Sequence, residues 1–228
     1  MGDKKIVIFG DGKIADVIQF YMREVSNWPV VAFTVDDKAY ESEIFNGLPV
    51  IPYSELKETY TPEQINLFIA VGYHDLNKLR ADKITQVEKD GYKVISYVHP
   101  DAGIPSDTQY GKNIFIMDRS LIHPRVSIGD DTFVWSGSVI GHHSKIGNHN
   151  WLTSGCNISG NVVLGDHNFL AINATISHSV TVGDECFLGA NALITKDVND
   201  KEVIIADNHK PIRLNSEQFL RFSGFKNV

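Results

Sequence analysis

Residues 147–194 read GNHNWLTSGCNISGNVVLGDHNFLAINATISHSVTVGDECFLGANALI, and counting along them in sixes lands on Leu152, Ile158, Leu164, Leu170, Ile176, Val182, Leu188 and Ile194. Carrying the count upstream adds Ile116, Ile122, Ile128, Val134, Ile140 and Ile146, so fourteen successive positions are Ile, Leu or Val. A period of six with one inward aliphatic residue describes short strands joined by tight corners. A β-sandwich needs turn signals every 8–12 residues and does not account for a six. Glycine often follows the aliphatic residue, as at Gly129, Gly141, Gly147, Gly165, Gly183 and Gly189, which predicts that glycine supplies the backbone of each corner. The expected fold from about residue 104 to 198 is a parallel β-helix.

Working outward, the first hundred residues change period. Strand-like and helix-like runs alternate: Lys5–Phe9, Ile14–Val25, Val30–Val35, Leu67–Val71, Asn77–Lys89 and Lys93–Val98. That pattern predicts a small Rossmann-like α/β domain with a mostly parallel sheet. His99-Pro100 and the segment through Pro105 read as a linker, because proline forces extended backbone there. Three units are expected: 1–100, an α/β domain; 101–198, the β-helix; and 199–228, a C-terminal cap in which Lys210, Pro211 and Arg213 approach a ligand's phosphates.

The 228 residues carry 21 Lys+Arg against 28 Asp+Glu, a net charge of −7, without a basic cluster. Nucleic acid is therefore not an expected partner. No run is long enough to insert in a membrane and the apolar N-terminal run is too short for a signal peptide, so the expected compartment is the cytoplasm. Two cysteines, Cys156 and Cys186, are expected on different faces of the coil and unpaired.

Three strands of six make one coil, so residues 18 apart stack at about 4.8 Å. His142, Gly160 and His178 then share one edge. Ala171 with Gly189, and Ser154 with Ile172 and Ala190, form columns of small residues whose amides suit a thin, extended ligand such as pantetheine. An imidazole can accept and return a proton near neutrality, which makes His142 a candidate general base, with the Gly160 amide one rung along as oxyanion donor. His149 and His167 fall in corner sequences and read as solvated turn residues. His178 stands two coils from His142, near 10 Å by strand spacing, too far for one metal within a chain; no metal is expected.

The run Val139-Ile-Gly-His142-His143-Ser-Lys-Ile-Gly147 followed by Ile158-Ser-Gly160 resembles the hexapeptide-repeat nucleotide-sugar N-acetyltransferases of the bacillosamine and perosamine pathways. The resemblance implies a left-handed prism, whereas ordinary crossovers are right-handed. It also implies an acetyl-CoA-dependent acyltransferase acting on a nucleotide-linked amino sugar, a 4-amino-4,6-dideoxy hexose, for surface-polysaccharide or glycan synthesis. His142 is then the base and Gly160 the donor to the thioester carbonyl. Residues Ala171, Ile172, Gly189 and Ala190 hold the coenzyme between subunits of a homotrimer. Two positions depart from the family: His143 stands where an acidic residue commonly orients the base, and Trp135 where Asn often faces the sugar. A sialic-acid-type O-acetyltransferase shares both domains, and a zinc carbonic-anhydrase-like prism and a nucleotide-sensing scaffold are the rivals from other classes.

The N-terminal run Ile6-Val-Ile-Phe-Gly10-Asp-Gly12-Lys13-Ile-Ala15 is a strand, a glycine turn and a helix start, which can place an anion at a helix N-terminus. About 100 residues is too short for two mononucleotide halves, so a complete dinucleotide site is not expected. By the resemblance, Gly10, Gly12, Lys13, Asp36, Asp37 and Gly72 bind the nucleotide of the sugar donor.

Overall fold

The computed structural model describes residues 4–207 and 213–223. Its N-terminal half is a six-stranded sheet in the order β3-β4-β2-β1-β5-β6. The strands are β1 (Lys5–Phe9), β2 (Val30–Val35), β3 (Ile44–Phe45), β4 (Leu48–Pro52), β5 (Ile65–Ile69) and β6 (Lys93–Val94). All pairings are parallel except the β3–β4 hairpin, which turns at Asn46-Gly47, both at positive φ. Helices α1 (Lys13–Phe20), α2 (Tyr53–Thr59) and α3 (Lys78–Lys89) make the connections, and α1 runs on through a π-helical turn to Val25. The central strands β1 and β5 carry continuous apolar runs with Val7, Ile8, Leu67 and Phe68 fully buried, as expected of strands covered on both faces. The β3–β4–α2 stretch is not evident in the sequence, because Pro49 and Pro52 mask a strand at the sheet's margin.

From Tyr97 onward the chain winds as a three-sided prism. The five-stranded sheets run from Leu121–Ile122 to Leu193–Ile194 and from Gln109–Tyr110 to Thr181–Val182. A seven-stranded sheet runs from Tyr97–Val98 to Val203–Ile204. Pairing is offset by one 18-residue coil, as in Phe133 with Trp151 and Ile140 with Ile158. The aliphatic residue at every sixth position points inward and is buried, from Ile116 to Ile194. Only the final turn departs from the period: Val198 pairs with Val182 and Val203 with Phe187, two residues short of a full coil.

The corners are not built as the glycine pattern suggested. The left-handed residue stands three after each aliphatic, at Arg119, Arg125, Asp131, His143, His149, Asn161, His167 and onward, with φ near 60°. Most are not glycine. The glycine one after the aliphatic has an ordinary φ and answers a different demand, the close approach of the next coil. A Cβ at Gly129 would lie 2.6 Å from the carbonyl carbon of Gly147, and one at Gly141 2.5 Å from the Gly160 nitrogen.

Three edges follow from this winding. The small-residue edge follows the seven-stranded sheet and holds Trp135, Ser154, Ile172 and Ala190. The histidine edge, where the two five-stranded sheets meet, holds His142, Gly160 and His178. The carboxylate edge returns the chain to the seven-stranded sheet and holds Asp131, Asp166 and Asp184. The α/β domain packs on the outer face of the seven-stranded sheet, where Phe115, Phe133 and Trp151 meet Phe68 and Tyr73. Arg80 of α3 latches the two halves. Its guanidinium pairs with Asp131 at 2.6 Å, both side chains fully buried, and lies over the Phe133 ring at 4.4 Å. A helix α4 (Ser216–Ser223) follows the prism; Arg213 is exposed, while Lys210 and Pro211 lie outside the described residues.

Candidate active site and N-terminal cavity

On the histidine edge, the His142 imidazole reaches up over Gly160. A Cβ at Gly160 would sit 2.7 Å from the ring's Cε1 and Nε2, so the missing side chain is what lets the ring lie there. His143 occupies the left-handed corner position, and its Nδ1 is 3.1 Å from His142 Nδ1. One of these nitrogens must donate and the other accept. If His142 Nδ1–H is the donor, its Nε2 is left with a free lone pair, the form a general base needs. His178 leans into the same gap, with its ring centroid 6.2 Å from that of His142. The expectation that a two-coil spacing near 10 Å holds the two histidines apart fails at the side chains, which lean together because nothing on Gly160 stands between them.

The Gly160 amide makes no hydrogen bond among the described residues, and neither do those of Ile172 and Ala190 on the small-residue edge. By contrast, the amides of Ala171 and Gly189 are committed to the ladder, each 2.7 Å from its acceptor on the next coil, Leu188 O and Ile204 O. Of the four residues expected along a coenzyme, then, two have amides to offer. Ile172 is also half exposed.

The carboxylate edge is otherwise. Asp130 Oδ1 accepts from the Lys112 amide, Asn148 Oδ1 from Asp130, Asp166 Oδ1 from Asn148, Asp184 Oδ1 from Asp166 and Asp200 Oδ1 from Asp184. His149 and His167, expected as solvated corners, are engaged instead. His149 Nδ1 lies 2.9 Å from Asp131 Oδ2, the two imidazoles stack at 4.7 Å, and His167 Nδ1 meets the Leu76 carbonyl at 3.1 Å. The docked α/β domain converts turn residues into a clasp, which no local signal announces.

At the C-terminal ends of β1, β2 and β5 a cavity of about 580 Å³ is lined by Gly10, Gly12, Lys13, Asp36 and Gly72. Gly10 adopts φ +117°, and a Cβ there would be 3.1 Å from the Ala70 carbonyl oxygen, so the turn requires glycine. Gly12, at the start of α1, has open space where a side chain would stand. Asp36 is held 2.6 Å from Lys83 Nζ, a residue the sequence reading missed because it lies a helix away. Asp37 does not join the cavity: its carboxylate accepts from the Ser54 amide, which together with the Ser54 side chain holds its pKa below the usual carboxylate range. Tyr73 lines the mouth of the cavity and packs on Trp151 and Phe169 of the prism. Trp135 is likewise not brought to His142. It sits on the small-residue edge against Trp151, its buried Nε1–H without an acceptor.

One relation is decisive. The cavity belongs to a domain seated on the seven-stranded sheet, and the histidine edge is the one opposite that sheet. Within one chain the two lie on opposite sides of the prism.

These features define a left-handed parallel β-helix of hexapeptide repeats carrying a mostly parallel α/β domain. The PglD N-terminal domain model matches residues 5–87 and the bacterial transferase hexapeptide model, of six repeats, matches residues 161–196. The chain thus carries a segment that matches the PglD N-terminal domain and another that matches the bacterial transferase hexapeptide repeats, each over part of its length. No curated protein matches it in sequence. Among solved structures it resembles PerB from Caulobacter crescentus in complex with CoA and GDP-perosamine, at 24% identity and TM-score 0.80 over 90% of this chain and 95% of that one. The acetyltransferase domain of PglB from Neisseria gonorrhoeae, in complex with acetyl coenzyme A, aligns at 23% identity and TM-score 0.80 over 92% and 100%. WeeI from Acinetobacter baumannii aligns at 17% and 0.72 over 92% and 100%. These likenesses are of fold. No helix among the described residues is long and apolar enough to cross a membrane, and no group of three metal-ligating side chains is gathered among them.

Proposed function

We propose that the protein is an acetyl-CoA-dependent N-acetyltransferase acting on a nucleotide-linked amino sugar, with a 4-amino-4,6-dideoxy hexose as the preferred class. The observation that carries this reading is the pairing, on one edge, of the His142 imidazole with the unbonded Gly160 amide. Acyl transfer to an amine needs a proton acceptor and a donor aimed at the developing oxyanion, roles that an imidazole beside a free amide suits. In the proposed reaction the sugar amine attacks the thioester carbonyl while His142 Nε2 takes its proton, and the tetrahedral oxyanion is held by the Gly160 amide. The intermediate then collapses, expelling the coenzyme thiolate, which recovers the proton from His142. His143 Nδ1 accepts from His142 Nδ1–H throughout and so takes the place of an orienting carboxylate.

The free amides of Ile172 and Ala190 suit the amide groups of pantetheine, and the Gly10–Gly72 cavity suits the nucleotide. Because that cavity and His142 lie on opposite sides of one prism, a complete site needs the histidine edge of a neighbour. The reading therefore includes a homotrimer, with each site shared between subunits. Incubating the protein with acetyl-CoA and a panel of UDP-, GDP- and dTDP-linked 4-amino sugars, and following product mass, tests it. Acetylation of an amino sugar is expected; a panel left wholly unmodified by a protein that binds CoA would overturn the assignment.

A further inference from the structure

A second cavity, of about 660 Å³, lies apart from the one at Gly10. It opens at the N-terminal ends of β1, β5 and β6, where the sheet meets the first coil of the prism. Strands β1 and β5 run from this cavity to the other: Ile6 and Asn66 line one, and Phe9 and Ala70 line the other. Its volume lies within the range of small-molecule sites.

Three lysines line it, Lys4, Lys93 and Lys112, and none of its lining residues is acidic. Lys112 is engaged by Glu88 and Asp130, and Lys4 Nζ donates to the Pro62 carbonyl. The Lys93 ammonium has no hydrogen-bond or ion-pair partner among the described residues. Asn66 is its register partner across the parallel β5–β6 ladder, so the two side chains stand on one face about 5 Å apart. The Asn66 Oδ1 is buried without a hydrogen-bond donor. A buried acceptor left unmatched costs about 1–3 kcal/mol, and such groups ask for an explanation. Trp28 and Tyr110 give the cavity two aromatic side chains, the latter half exposed.

An acceptor shut away from water, aromatic walls and an unpartnered ammonium call for a ligand with a planar ring bearing an N–H and with a negative group. We propose that this cavity is a second ligand site and takes a nucleoside phosphate. The base packs against Trp28 and Tyr110 and donates an N–H to Asn66 Oδ1, and the phosphate meets Lys93 and Lys4. The proposal does not rest on the acyl-transfer reading.

Calorimetric titration of the full-length protein with UDP, GDP, ADP and inorganic pyrophosphate tests it, using Lys93→Glu, Asn66→Leu and, to block the other cavity, Gly12→Trp. At least one nucleotide is expected to show a binding event that Gly12→Trp leaves in place. Lys93→Glu and Asn66→Leu should each weaken that event by about 10–100-fold, with pyrophosphate binding far more weakly. Lys93 is exposed, so its replacement leaves the fold intact and decides the question even if Asn66→Leu does not fold. Absence of nucleotide binding, binding indifferent to Lys93→Glu, or pyrophosphate binding as tightly as a nucleotide would each overturn the proposal.

Discussion

The carboxylate and histidine edges of the prism are built from the same six-residue phrase, yet one is closed and the other open. On the carboxylate edge each corner amide is capped by an Asp or Asn oxygen from the next coil, five times in succession. At the matching place on the histidine edge, Gly160 keeps its amide free and leaves room for the His142 ring. The backbone offers the same donor at every rung, and the side chain one coil along decides whether it is capped or left open. An Asp or Asn column commits the donor to the fold; the His–Gly–His column leaves the Gly160 amide unbonded.

That contrast can be broken at four points. The largest effect is expected for His142→Ala. Loss of a general base lowers kcat by about 10²–10⁴-fold, with little change in KM for the nucleotide sugar, as steady-state kinetics would report. Near-normal turnover would remove the histidine edge from the mechanism. On the opposite side, Asp131→Ala leaves the buried Arg80 guanidinium without its partner and should cost about 3–5 kcal/mol in denaturant unfolding. A change of under about 1 kcal/mol would mean that the latch is not what joins the halves.

Gly160→Ala places a methyl where the His142 ring lies. Displacing a catalytic group by about 1 Å costs about 10²-fold, so kcat should fall by that order in a protein whose melting point is preserved. An unchanged kcat would show that the ring does not need this berth. The smallest effect is expected for Asp166→Ala, which uncaps the Asn148 amide at a cost of about 1 kcal/mol in stability. Turnover there should be untouched. A kcat loss comparable to that of Gly160→Ala would erase the distinction between the edges.

Much of this was legible in the sequence because a β-helix is governed by its repeat. The spacing alone put His142, Gly160 and His178 on one edge, and Gly10, Gly12, Lys13, Asp36 and Gly72 do line one cavity. What escaped the sequence depended on contacts between distant segments. Arg80 reads as an ordinary helical cation until the domain docks and buries it against Asp131. Asp37 looks equivalent to Asp36 until the Ser54 amide claims it. Ala171 looks equivalent to Ile172 until the ladder takes its amide. The corner glycines read as left-handed turn residues, since a missing Cβ looks the same in a sequence whether it serves a positive φ or a close coil.

The shortened last coil has a bearing on how the stack of rungs ends. An uninterrupted 18-residue winding would finish in a backbone edge identical to the one beneath it, a template onto which another chain could be laid end to end, as in fibrillar assemblies. Because Val198 and Val203 arrive two residues early, the terminal edge no longer matches the spacing of an incoming first coil, which begins at Tyr97 and keeps the full 18. Two missing residues thus set the last rung out of register with the uninterrupted winding beneath it.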